Sequence, residues 1–179
     1  MPQAIVDFWF SDAVKKLWFN STPEFDASLR DQYQSIWKQA ADGDLDHWMD
    51  TAEGCLALVI LLDQFPLNMF RGEARCFSTE AKSRAVAQTA IDQGFDETLA
   101  MEQRAFLYMP FMHSEHLDDQ KTALRLFDQP GLEGNLRFAR HHHGIVEQFG
   151  RFPHRNEILG RESSAAEIEY LNSKEAFTG

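Results

Sequence analysis

The sequence predicts an all-α protein, a stack of about seven to nine antiparallel helices, and three observations carry that expectation. Phenylalanine occurs 15 times while Val and Ile are few by comparison, a balance that favours helices over strands because β-branched residues are the strand formers. No window shows sustained apolar–polar alternation, and no hairpin dipeptide lies between β-branched runs. Apolar residues recur instead at spacings of three and four, in segments bounded by Gly, Pro and capping residues.

Each element follows from local chemistry. Ile5, Val6, Phe8, Trp9 and Phe10 predict a short N-terminal helix with an aromatic side that needs burial. Ser21 or Thr22 can cap a second helix, with Pro23 in its first turn and Glu24 at the positive end of its dipole. Phe25, Leu29, Tyr33, Ile36 and Trp37 give that helix one apolar face, and Asp42-Gly43-Asp44 ends it. A helix starting near Thr51 is apolar nearly all round through Leu62, which predicts the central helix, and Pro66 is expected to close or kink it. Ser78 or Thr79 is expected to cap the next helix, which ends at Gly94. Glu102 to Met109 forms another, stopped by Pro110; Ser114 caps one running from Glu115 to about Phe127; and a long helix runs from about Leu132 to Phe149, ended by Gly150. Ser164-Ala165-Ala166-Glu167 matches a capping box before Ile168 and Leu171.

A chain of 179 residues with 44% hydrophobic residues can bury one core, so a single domain over 1–179 is expected. Its formal net charge of -11 argues against nucleic acid and anionic membrane as partners. The pair Cys55 and Cys76 has no Cys-x-x-Cys spacing, which argues against a thiolate zinc site or a redox dithiol. No basic region precedes an apolar stretch at the N-terminus, and the longest apolar run, Cys55 to Leu62, is too short to span a bilayer, so a cytoplasmic location is expected.

The candidate site residues are polar groups at helix ends. Phe149-Gly150-Arg151-Phe152-Pro153-His154-Arg155-Asn156 is the densest such stretch, following His141-His142-His143. Successive helix residues diverge by about a hundred degrees, so the triplet cannot act as one claw. Leu136, Ala139, His143 and Val146 share a face, which points His143 inward. His113 and Glu115 form a second group, and the loop arginines, Arg71, Arg75, Arg151, Arg155 and Arg161, suit two-point binding of carboxylate or phosphate. Asp63 follows five consecutive apolar residues, so it is expected to be buried beside a cation, with the Arg151–Arg155 segment as partner. A metal held by His113, His143 and His154 with Asp63 or Glu115 is the alternative, but each ligand comes from a different element; no metal and no cofactor is expected. No glycine-rich phosphate loop, nucleophile elbow or metalloprotease His–Glu pair is present, so the spacing alone does not decide whether the chain is an enzyme.

Three runs taken together, Leu62 to Gly72, Tyr108 to Glu115 and Phe149 to Arg161, with Val6-Asp7-Phe8-Trp9-Phe10 before them, resemble the bacterial family called domain of unknown function 924. The resemblance implies a tetratricopeptide-like right-handed stack of helices (α-α superhelix), although no tetratricopeptide signature repeats at about 34 residues. It implies no activity. The expected function is a protein- or peptide-binding or scaffold module. The alternative is a small-anion (phosphate or carboxylate) ligand-binding protein or enzyme using Asp63, Arg71, His113, Glu115, His143, Arg151, His154, Arg155 and Asn156.

Overall fold

The structure, a computed structural model, describes residues 1–177, and among them every regular element is helical. Nine helices follow one another: α1 (Pro2–Trp9), α2 (Asp12–Lys15), α3 (Pro23–Asp42), α4 (Ala52–Met69), α5 (Glu80–Asp92), α6 (Met101–Met112), α7 (Leu117–Phe127), α8 (Glu133–Phe149) and α9 (Ala165–Leu171). The chain divides into two compact units, Met1–Pro110 and Phe111–Gly179.

In the first unit the capping chemistry sets the helix ends. Thr22 Oγ1 accepts the Phe25 N–H at 3.2 Å, and Gly43, at φ 95°, closes α3 in the left-handed conformation that disfavours side chains. Thr51 Oγ1 accepts the Gly54 N–H at 3.1 Å. A Cβ on Gly54 would lie 1.8 Å from the Trp48 carbonyl oxygen, so only glycine allows the turn before α4 to approach this closely. α4 is the central helix: Cys55 through Leu62 are fully buried, and α1, α3 and α5 pack around it. Phe65 and Phe106 lie 5.4 and 5.9 Å from Trp9, and Trp18 stacks edge-on against Phe106 at 4.5 Å, so Trp9 is buried as the pattern required while Phe8 and Phe10 are half-buried.

Pro66 does not end this helix. The chain passes through a π-helical turn at Ile60–Gln64, in which the Phe65 N–H reaches back to the Ile60 carbonyl, and α-helix resumes to Met69. A proline leaves the carbonyl four residues before it without its usual donor. Here that carbonyl is Leu62, and Thr79 donates its hydroxyl to it at 2.6 Å. Thr79 therefore gives α5 no side-chain cap, although it occupies the N-cap position. Pro110 is tolerated likewise, because α6 continues to Met112. With these continuations, Ala52–Met69 reaches a length and apolarity (mean hydropathy 1.2) that could cross a membrane, but 83% of it is buried within the protein, as a core helix is.

In the second unit a short connection folds α8 back onto α7. Ser114 does not cap a helix directly at Glu115; α7 begins at Leu117, and Ser114 Oγ accepts the His116 N–H at 3.1 Å and donates to Asp119 Oδ2 at 2.6 Å. Gln120, fully buried, ties that turn shut by donating to the Met112 and Ser114 carbonyls, each at 2.7 Å. Ile145, Val146 and Phe152 form one core cluster, with Leu117, Phe149, Tyr170 and Phe177 against it.

Replacing Thr79 with Val removes the hydroxyl and strands a buried carbonyl. We expect Thr79→Val to lower the unfolding free energy by about 1–3 kcal/mol in urea titration, and Thr79→Ser to retain most of the stability. Equal losses in the two variants would mean that the methyl group, not the hydroxyl, carries the effect.

Candidate functional site

Gly150, at φ 70°, ends α8 and turns the chain into the segment 151–161. The first side chain after the turn, Arg151, places its fork on Glu167: Nε donates to Oε1 at 2.6 Å and Nη2 to Oε2 at 2.8 Å. Arg151 Nη2 also donates to the Glu162 carbonyl at 2.8 Å. The same Glu167 completes the capping box of α9, accepting the Ser164 N–H at 2.7 Å while Ser164 Oγ accepts the Glu167 N–H at 3.2 Å. The Arg151 fork and the Ser164 N–H hold the Glu167 carboxyl far below the usual carboxylate range despite its burial. The sequence marks Glu167 only as a cap, because its long-range role needs Arg151 brought back from sixteen residues earlier.

Glu115 plays the matching part at the other end. Its Oε2 accepts from Arg161 Nη1 at 2.7 Å, and its Oε1 accepts from Arg161 Nη2 at 2.9 Å and from the Phe152 N–H at 2.8 Å. Burial raises its pKa, but these donors outweigh burial and leave the carboxyl below its ordinary value. Arg161 continues to Asn156 Oδ1 through Nε at 3.0 Å, and Asn156 Nδ2 donates to Ser163 Oγ at 3.0 Å. Arg155, buried, donates through Nη2 to the His113 carbonyl at 2.9 Å and lies over the Phe152 ring at 4.8 Å. Thus His113, Glu115, Arg151, Arg155 and Asn156 belong to one network within the second unit, together with Arg161 and Glu167.

The histidines divide differently from the sequence expectation. His142, not His143, takes the inward position: it is 5% exposed, its Nδ1–H donates to the Phe138 carbonyl at 2.8 Å, and its ring lies 5.5 Å from Phe152 and 4.5 Å from Phe177. The buried stripe of α8 runs through Ala139, His142, Ile145 and Val146, and Ile145 shifts its midline by one residue; His143 is left half-buried. His154 packs against Phe152 and Phe177 at 5.7 and 5.0 Å, and its Nδ1 is buried with no hydrogen-bond partner among the described residues. Burial pushes His142 down to about 3, helped by His113, His141 and His154. Burial, with Arg155 and Arg161, pushes His154 down to about 4 against the pull of Glu115. Among the described residues no three His, Cys, Asp or Glu side chains converge as metal ligands.

Asp63 and Arg71 lie in the first unit. Asp63 is 2% exposed, as its place in the apolar run required, and its Oδ2 accepts from Gln64 Nε2 at 2.6 Å. Arg71 donates through Nε to Asp26 Oδ2 at 2.7 Å, and Asn68 donates to Asp26 Oδ1 at 2.8 Å. No local pattern marks Asp26 as a partner, because it lies on α3, forty-five residues before Arg71.

Two outcomes follow. Unfolded histidines gain a proton near pH 6.5, while native His142 and His154 resist until about 3 and 4, so their contribution is full above 6.5 and fades as pH falls. Glu115 and Glu167, held low, weaken only below about 4.5. Urea titrations should therefore show stability falling by on the order of 1–2 kcal/mol between pH 7 and 5.5, with His142→Asn flattening the slope. Glu167→Gln should lower Tm by about 5 °C or more, since it breaks the Arg151 fork and weakens the capping box; an unchanged Tm would remove the network from the fold's support.

A search of curated proteins gives no match. The chain is similar to a solved structure of a protein of unknown function from Agrobacterium tumefaciens, with 42% sequence identity, a TM-score of 0.91 and 96% of each chain covered. Residues 5–175, which include all the polar runs described above, match the model of the family described as bacterial protein of unknown function (DUF924). The chain belongs to this bacterial family, DUF924.

Proposed function

We propose that this protein is a protein- or peptide-binding module of the cytoplasm, its helices stacked in the tetratricopeptide-like manner. The observation that carries this reading is the internal commitment of the arginines. Arg151 is forked onto Glu167 and Arg161 onto Glu115, so the charge and the best-oriented donors of both guanidinium groups are already matched. The cluster then supports the fold, and recognition falls to the helical surfaces, as it does in helical repeat proteins. Exposed apolar side chains, with Phe19 80% exposed and Phe138 and Ile168 each 51% exposed, offer contact points for an amphipathic partner on a chain of net charge -11.

A second reading, a small-anion site or enzyme in the second unit, is favoured by one observation, the unpartnered Nδ1 of His154 next to Arg155. A thermal-shift screen of phosphates, carboxylates and divalent metals, run beside a peptide array, separates the two. The binding-module reading expects peptides retained at micromolar concentration and Tm unmoved by millimolar small ions. A Tm rise with phosphate or a small carboxylate that His154→Ala abolishes, with no peptide retained, would overturn it.

A further inference from the structure

The first unit carries a second cationic group that the polar network does not explain. Three arginines gather where α4 ends. Arg30, on α3, donates through Nε to the Met69 carbonyl at 2.6 Å and pairs through Nη2 with Glu73 at 2.6 Å, so it satisfies the helix terminus. Arg71 pairs with Asp26. Arg75 has no such duty: among the described residues its guanidinium makes no hydrogen bond or ion pair, and it lies 4.2 Å from the centroid of Phe70 and 4.7 Å from that of Trp37.

Those rings are fixed supports. Phe70 is fully buried, Trp37 is 5% exposed, and the two meet at 4.9 Å. Arg30 also lies over Phe70, at 5.2 Å, so two guanidinium groups share one ring. These contacts hold the Arg75 guanidinium beside two fixed rings while the residue stays exposed to solvent. Against Arg30, Arg71 and Arg75 stand Asp26 and Glu73, which leaves one positive charge unmatched on an acidic protein.

We propose that Arg75, on its Phe70–Trp37 support, receives a single carboxylate from an acidic peptide. One unmatched charge suits a monoanionic carboxylate and falls short of a phosphate dianion. The site is an open face, where an isolated ion pair gains little, so neighbouring peptide residues must add the remaining contact. The inference rests on the peptide-binding reading and names its partner chemistry.

The test uses the full chain and two labelled heptapeptides, each with Leu and Phe flanking a central pair, Glu-Glu in one and Gln-Gln in the other. Fluorescence anisotropy should show the acidic peptide binding about twofold to fivefold more tightly. Arg75→Gln should abolish that preference with its melting curve unchanged, and the Arg75 Nε–H resonance should shift with the acidic peptide and not with millimolar inorganic phosphate. Equal binding of both peptides, or a preference that survives Arg75→Gln, overturns the role of Arg75 while leaving peptide binding intact. A response to phosphate alone overturns the carboxylate assignment, and no binding of either peptide overturns both readings.

Discussion

The carboxylate of Glu115 is the interaction on which the second unit depends. It receives both terminal nitrogens of Arg161 and the Phe152 N–H, drawing residues 37 and 46 positions away onto the turn that precedes α7. Two guanidinium donors and one backbone donor saturate it, which is why its negative charge persists in a half-buried place. Phe152 is thereby fixed as a core residue, His142 and His154 pack on its ring, and Arg155 covers its face. The Arg151–Glu167 fork repeats the arrangement at α9, where one carboxylate serves a helix cap and a distant cation together.

How much of this was legible in the sequence depended on the range of the interaction. Helix ends governed by neighbours in the chain were readable: Thr22, Gly43, Thr51, Gly150 and the Ser164–Glu167 box all act as their local chemistry requires. Pro66 is read as closing or kinking the helix, and it does not close it; the carbonyl it orphans is met by Thr79 across a helix–helix contact, and no pattern around Pro66 announces that. His143 was favoured over His142 because Leu136 and Val146 set one helical phase, while Ile145 and the distant Phe152 and Phe177 set another. In the site, the residue types were visible and their partners were not. Arg151, Arg155, Asn156, His113 and Glu115 belong to one network, but Arg161 and Glu167 supply the other halves of its two ion pairs, and only the fold brings them there.

That pairing changes the meaning of the histidine- and arginine-rich run. A cluster of these residue types invites a catalytic reading, since perturbed groups gather at active sites. Structural ion-pair networks perturb the same groups, and the low-lying carboxylates of Glu115 and Glu167 arise here from pairing. Arg75, whose guanidinium makes no hydrogen bond or ion pair among the described residues, lies in the first unit on an aromatic support, away in sequence from the run that first draws attention. Arg30 and Arg71 are committed within the fold as Arg151 and Arg161 are, while Arg75 faces solvent.

A double-mutant cycle on Glu115 and Arg161 tests the central claim most directly. Unfolding free energies of the parent, Glu115→Gln, Arg161→Gln and the double variant give the coupling between the two side chains without assigning either one a separate value. A network that supports the fold predicts a coupling of about 1–2 kcal/mol or more at neutral pH, with each single variant less stable than the parent. A coupling near zero, with the single variants as stable as the parent, would contradict it and return the cluster to the status of a site kept for a ligand.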